Sequence, residues 1–449
     1  MRGGLLPVIV AGLTPVLLLT LIITGLGLGL VLWHPSSMWT SQFGTAETDH
    51  EGVDNAVTGV SADSNGAYAT GYVGVPRLVY FKPQPSDLFL NRYDSNGRQV
   101  WSRHFGNATR DRIEGIGTAM DGVYLTGFVN GTSVLLRYNI SGDLIWSHIY
   151  EGRQAVDYGV AVGDTGIYTA SLDDLNESIL VREYDFLGNP VWSNMFGNSS
   201  SSIGSVAGIS VVSNGVYVAG KSMLTGNGST VPSPTDFIRK YDLQGREQWT
   251  RGLNASAAGL SSDSGGLYVL AFAYPIYPTY PTAPADALVR KYDFNGNILW
   301  TVRISPPDYT SFRQTSLSVE RSEVYLATTT GTGNAFIWKY DGSGKNMWFF
   351  QKGAPHSAAL DLHISAGGTG LYVGGNVWSA SGSDAFVTEF SQSSSLIFFG
   401  VNPPLSFLIL GAAVGGAALS IVWLRKYRKN RPHPANANPM RYGSTKPSN

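Results

Sequence analysis

Residues 286–300 read Asp-Ala-Leu-Val-Arg-Lys-Tyr-Asp-Phe-Asn-Gly-Asn-Ile-Leu-Trp. Ala287, Val289 and Lys291 alternate with Leu288, Arg290 and Tyr292, the period of two that marks a strand. Asp293-Phe294-Asn295-Gly296 follows, and glycine there can take the positive φ that a tight hairpin demands. A second strand runs from Ile298 to Trp300. The stretch therefore predicts a β-hairpin with an aromatic on each arm.

The same unit recurs. Aromatics at 93, 138, 184, 241, 292, 340 and 390 are each followed eight residues later by another, at 101, 146, 192, 249, 300, 348 and 398. The first is Tyr except for Phe390, and the second is Trp except for Phe398. Gly97, Gly142, Gly188, Gly245, Gly296 and Gly344 stand four after the first aromatic; Ser394 breaks that rule. A period near 50 residues with four short strands per copy predicts an all-β, seven-bladed β-propeller of four-stranded blades. Strand A is a run of small and apolar residues (Gly159, Ala161, Gly204, Ala207, Gly208, Ala257, Ala258), suited to the crowded centre. Strand B carries Tyr68, Tyr124, Tyr168, Tyr217, Tyr268, Tyr325 and Tyr372 in register. Strands C and D are the hairpin. An eighth candidate D strand, Trp39-Thr-Ser-Gln-Phe-Gly, precedes the first A strand. Either Trp39 completes the last blade and interlocks the chain ends, or Phe398 completes it locally. Trp39 is preferred, because both flanking segments then leave from one side of the disc.

The 449 residues carry a formal net charge of −1 and no cysteine, so neither disulfides nor thiolate chemistry are available. Residues 425–449 hold seven Lys or Arg and no acid, and 1–38 hold only Arg2, which leaves −9 on residues 39–424. An acidic body argues against a nucleic-acid partner. Leu5–Trp33 is an uncharged run of 29 residues, long enough to span a bilayer or to act as a signal segment. Leu405–Leu424 is a second, of 20 residues, stopped by Arg425-Lys426-Tyr427-Arg428-Lys429. The division expected is a membrane anchor or signal segment over 1–38, an extracellular propeller over 39–400, a transmembrane helix over 401–424 and a basic cytoplasmic tail over 425–449. Gly25/Gly29 and Gly411/Gly415 would allow close packing of the two terminal helices. Asn-x-Ser/Thr acceptors at Asn107, Asn130, Asn139, Asn176, Asn198, Asn227 and Asn254 all fall between them, as an external body requires.

The pattern Gly-x-Tyr-Val-x-Gly, then Asp-Ala-Phe-Val-x-Lys-Tyr-Asp-x-x-Gly-x-x-x-Trp-x-x-x-Phe-Gly, resembles the SBBP-type seven-bladed propeller repeats of prokaryotic cell-surface and secreted proteins. The resemblance spans 39–400, and it implies a fold and a surface role rather than an activity. Tyr-Asp-x-x-Gly-x-x-x-Trp is also similar to the repeats of PQQ-type propellers. The enzymes among those have eight blades and often a vicinal disulfide at the cofactor, which a cysteine-free chain of seven repeats does not match.

No His-Glu-x-x-His, Gly-x-Ser-x-Gly, P-loop, Gly-x-Gly-x-x-Gly or EF-hand pattern occurs. The sequence therefore points to no catalytic residue, no metal site and no cofactor. Two ligand-binding candidates remain. In Leu360-Asp361-Leu362-His363-Ile364-Ser365 alternation places Asp361, His363 and Ser365 on one face of an inner strand, lining a central channel. In Ala273–Ala285 three Tyr-Pro pairs favour extended backbone and offer Tyr274, Tyr277 and Tyr280 to a sugar or a protein. This and the other long B–C segments, Tyr72–Ser86 and Lys221–Thr235, would share one face. The function expected is a non-enzymatic binding or cell-envelope scaffold module, held to membrane lipid by its terminal helices and meeting a glycan or cell-surface protein. The alternative is an extracellular glycan lyase or hydrolase with its site on the loop face or channel mouth.

Overall fold

In a computed structural model of the chain the described residues are 33–34, 37–43, 53–76, 87–106, 111–119, 121–130, 132–150, 155–173, 178–197, 202–223, 236–273, 286–306, 312–352, 359–368, 370–379, 382–391 and 395–396. Trp33–Ser395 form one compact unit. Apart from Trp33, both long apolar runs lie outside the described residues, as does Phe398. Among the described residues no helix is long and apolar enough to cross a membrane.

The strands follow the repeats. β1 (Trp33–His34) and β2 (Ser37–Phe43) come first. The first repeat forms β3 (Val53–Asp63), β4 (Gly66–Pro76), β5 (Asp87–Asp94) and β6 (Gln99–Phe105); the second β7 (Arg112–Ala119), β8 (Gly122–Val129), β9 (Thr132–Asn139) and β10 (Leu144–Ile149). The third forms β11 (Ala155–Val162), β12 (Ile167–Asp173), β13 (Ser178–Tyr184) and β14 (Pro190–Phe196); the fourth β15 (Ser202–Val212), β16 (Gly215–Met223), β17 (Phe237–Tyr241) and β18 (Glu247–Gly252). The fifth forms β19 (Ser256–Asp263), β20 (Gly266–Phe272), β21 (Ala287–Tyr292) and β22 (Ile298–Ile304); the sixth β23 (Phe312–Glu320), β24 (Glu323–Thr330), β25 (Ala335–Tyr340) and β26 (Asn346–Lys352). The last supplies β27 (Ala359–Gly367), β28 (Gly370–Ser379) and β29 (Gly382–Ser391), before the short β30 (Ser395–Leu396).

The fold is an all-β propeller of four-stranded antiparallel blades. Five repeats, the second to the sixth, are separate four-stranded sheets, where seven separate blades were expected. The first and last repeats share one eight-stranded sheet, because β29 pairs in parallel with β3 over Gly382–Val53 and Ser383–Asp54. Asn55 reinforces that junction: its N–H donates to Ser383 Oγ at 3.0 Å and its Nδ2 to Ser383 O at 2.8 Å. The inner strands β3, β7, β11, β15, β19, β23 and β27 neighbour one another in sequence order, and β27 returns to β3. Hydroxyls tie neighbours together: Ser61 Oγ meets Thr118 Oγ1 at 3.0 Å, and Ser365 Oγ accepts from Ala62 N at 3.0 Å.

Closure is made by Trp39. β2 pairs antiparallel with β29 from Ser37–Phe390 to Phe43–Ala385, so the first long strand is the outer strand of the last repeat. Trp39 Nε1 donates to Glu389 Oε2, and Thr40 Oγ1 lies 2.8 Å from Thr388 Oγ1. Physically this replaces an open edge with a full hydrogen-bond ladder joining residues about 350 apart in sequence.

The aromatics fill the space between neighbouring sheets. All seven strand-B tyrosines are buried, each at 2% exposure or less. Each packs on the Trp of its own outer strand: Tyr68–Trp101, Tyr124–Trp146, Tyr168–Trp192, Tyr217–Trp249, Tyr268–Trp300, Tyr325–Trp348 and Tyr372–Trp39, with centroids 5.9–6.4 Å apart. Burying each such ring contributes about 1.5–3 kcal/mol, with some further gain from ring geometry.

Candidate functional site

The polar residues of the repeat are engaged in the framework. In the C–D turn of the fifth repeat Asp293 Oδ1 accepts from Asn295 N and Asn297 N at 2.9 and 2.8 Å, and Gly296 takes φ +83°. Asp94, Asp185, Asp242 and Asp341 make the same pair of bonds. Side-chain bonds from Asn189, Asn297 and Ser343 hold the Asp185, Asp293 and Asp341 carboxyls below the ordinary aspartate range. The Trp of the preceding repeat lies on each turn glycine. A Cβ at Gly245 would sit 2.6 Å from the Trp192 ring, and one at Gly97 2.4 Å from Trp39. Trp192 Nε1 completes the joint with a 3.1 Å bond to Leu243 O. Glycine is thus required twice, by backbone conformation and by the neighbouring indole.

Charge alternates with purpose one residue before the strand-C aromatic. Arg92, Arg137, Lys240, Lys291 and Lys339 place their cationic groups over Tyr68, Tyr124, Tyr217, Tyr268 and Tyr325. Glu183 and Glu389 take the place in the third and last repeats. Tyr168 donates to Glu183 at 2.8 Å. Burial raises both glutamates above their ordinary value.

The sequence candidates fare unequally. Tyr274, Tyr277 and Tyr280 lie outside the described residues, as do Asn107, Asn176, Asn198 and Asn227. Asn130 and Asn254 are exposed and adopt left-handed backbone, φ 51° and 50°, so both can present an amide to solvent. Asn139 is different. It occupies the turn-aspartate position, its Oδ1 accepting from Ser141 N and Asp143 N and its Nδ2 donating to Asp143 at 3.1 Å. A glycan there would displace that bond.

His363 and Ser365 do share a face of β27, flanked by buried Leu362 and Ile364. A register shift falls between Ala359 and Leu362, and the side chain of Asp361 lies outside the described set. His363 stands opposite Gly374, and a Cβ at Gly374 would meet Val57 and Val60 of β3 at 2.6 and 2.5 Å. Cross-strand partners point the same way. His363 therefore faces the inner strand of the first repeat rather than an open channel. At the same level the other inner strands carry Gly59, Gly115, Gly159, Gly208, Gly259 and Ser316. Burial pushes the His363 pKa down to about 4, so the ring is neutral at pH 7. Among the described residues no group of three His, Asp or Glu is placed to hold a metal ion.

Sequence reasoning missed a polar concavity. A cleft of about 330 Å³ opens between the outer strand of the second repeat and strands C and D of the third. It is lined by His148, Tyr150, Arg182, Tyr184, Val191 and Trp192, among others. The His148 ring meets those of Tyr150 and Tyr184 at 5.3 and 5.1 Å, and Arg182 lies 4.7 Å over Tyr150. Burial, and then the Arg182 charge, lower the His148 pKa. The signal was present two residues after each outer-strand Trp. Arg103, Asn194 and Arg251 hold that position in the first, third and fourth repeats and bond to the next turn, at Gly142 O, Gly245 O and Asn295 O, while Val302, Phe350 and Ser41 hold it in the fifth, sixth and last. His148 makes no such bond among the described residues, and the gap stays open. A second cleft, of about 340 Å³, lies between the A–B turns of the third and fourth repeats and is lined mainly by apolar and small residues with Asp164.

This arrangement defines a β-propeller whose repeats are locked by indole–turn joints. No family model matches the chain, and no curated protein matches it. Among solved structures, U3-55K is 11% identical over 79% of this chain and 100% of its own, with a TM-score of 0.50. BamB from Moraxella catarrhalis is 12% identical over 81% and 100%, at 0.43, and the Dos1 propeller 10% over 80% and 95%, at 0.44. At these identities the likeness is one of fold.

Proposed function

We propose that the chain is a surface-displayed propeller of the SBBP repeat type that acts as a non-enzymatic binding or cell-envelope scaffold module. We read the eight-stranded sheet as two blades joined at their edges, which with the five separate sheets makes seven. The propeller, 39–400, stands outside the membrane. Residues 1–38 and 401–424 meet membrane lipid, and the basic tail 425–449 lies in the cytoplasm. The partner is a glycan or a cell-surface protein. The observation that carries the reading is where the repeated polar residues go. The turn carboxylates, the strand-C cations and glutamates, and the indole N–H groups serve the framework in repeat after repeat, while two of the three long segments that differ between repeats, 72–86 and 273–285, are rich in Tyr and Pro. That division suits a scaffold that varies its loops. Exposed Asn130 and Asn254 support an outward body.

Because the chain has no cysteine, single substitutions report topology cleanly. On intact cells a membrane-impermeant maleimide should label Asn254→Cys at once and Ser444→Cys only after permeabilisation. The opposite pattern, or labelling of neither before permeabilisation, would contradict surface display.

A further inference from the structure

We propose that the cleft between the second and third repeats is a binding site for the carboxylate of an acidic sugar, with Arg182 as the anion-recognising group. The inference rests on the binding-module reading and names a ligand class for it. Three observations carry it. First, Arg182 forms no ion pair among the described residues, and its buried Nη1 has no hydrogen-bond partner. The arginines at the same position in the next two repeats also leave one buried nitrogen, Nε, unpartnered, but each has a partner on another nitrogen: Arg239 pairs with Glu247 at 3.2 Å, and Arg290 donates to Leu253 O. A guanidinium held against a ring without a counter-ion is suited to a planar carboxylate from solution.

Second, the walls are aromatic. Tyr150, Tyr184 and Trp192 line the cleft, and stacked or edge-on rings are what a pyranose packs against. The volume, about 330 Å³, lies at the lower end of small-ligand pockets, which suits one or two sugar rings. Third, among the described residues the joint here lacks a polar bridge to the next turn, as do those at Val302, Phe350 and Ser41, but only here is the bridging place held by a histidine. The Trp+2 side chains that bridge to the next turn after the first, third and fourth repeats are replaced here by His148, whose imidazole is engaged with tyrosine rings instead.

The test is thermal unfolding of the purified full chain with D-glucuronate, D-glucose or acetate at equal millimolar concentration. Glucuronate is expected to raise the unfolding midpoint by about 2 °C or more, with glucose and acetate inactive. Arg182→Gln should abolish the shift. Val191→Trp, which adds bulk at an exposed position on the cleft wall, should abolish it without altering the unliganded midpoint. No response to glucuronate, an equal response to glucose or to acetate, or a response that survives both substitutions would overturn the assignment. The cysteine-labelling result is independent of all these outcomes, so failure of the site and failure of the surface-display reading are told apart.

Discussion

At the scale of single residues, the turn glycines show how two demands fix one residue type. Gly245 has φ +81° and a neighbouring indole within 2.6 Å of any Cβ. Gly245→Ala should cost about 2–4 kcal/mol in urea unfolding, from left-handed backbone strain together with overpacking. Gly252→Ala, whose Cβ would find only Asp236 O at 4.0 Å, should cost little. Comparable losses at both sites would remove the double requirement. The first demand was legible, since Asp-x-x-Gly names the turn. The second was not, because nothing local says that the Trp of one repeat lies on the glycine of the next.

His363 makes a second prediction. Its folded pKa, about 4, lies below the ordinary 6.5. The unfolded chain therefore binds a proton first as pH falls. Stability on this account is full above pH 6.5 and is lost as pH falls from about 6.5 to about 4, by at most about 3 kcal/mol. His363→Ser, the residue type at the matching place in β23, should flatten that slope whatever it does to stability at pH 7. An unchanged slope would place the acid sensitivity elsewhere. The sequence showed the polar face but not its neighbour, since alternation gives a side without saying what faces it.

At the scale of elements, strand identity was nearly all legible. The hairpins of the first six repeats, each strand-B tyrosine and the small residues of the inner strands fall where their periodicities put them. Register was less so. The inner strands carry β-bulges, as between Asp157 and Gly159 and between Ala257 and Gly259, and a bulge shifts the alternation by one residue without changing composition. Trp39 tests the closing strand. It packs on Tyr93 and Tyr372 at 5.7 and 6.1 Å, so Trp39→Ala should destabilise by about 3 kcal/mol or more. Met38→Ala, at a position 63% exposed, should stay within about 0.5 kcal/mol. A reversal of that order would contradict the role given to β2.

At the scale of the whole molecule, a ring of repeats closes only if its ends meet. The count of repeats was in the sequence, and so was the surplus outer strand. The parallel junction of β29 with β3, which merges first and last repeats into one sheet, was not, since it depends on two residues of each strand and on Asn55 capping Ser383. The His148 cleft was equally hidden, since it depends on how side chains of two neighbouring repeats meet across a joint. Ring closure by the N-terminal strand is the claim on which the rest stands. Thr40 and Thr388 face each other with hydroxyls 2.8 Å apart. The double variant Thr40→Cys/Thr388→Cys, in an otherwise cysteine-free chain, should form a disulfide on mild oxidation, visible as a reduction-sensitive mobility change and a raised unfolding midpoint. Two free thiols in a folded, oxidised sample would contradict closure by β2.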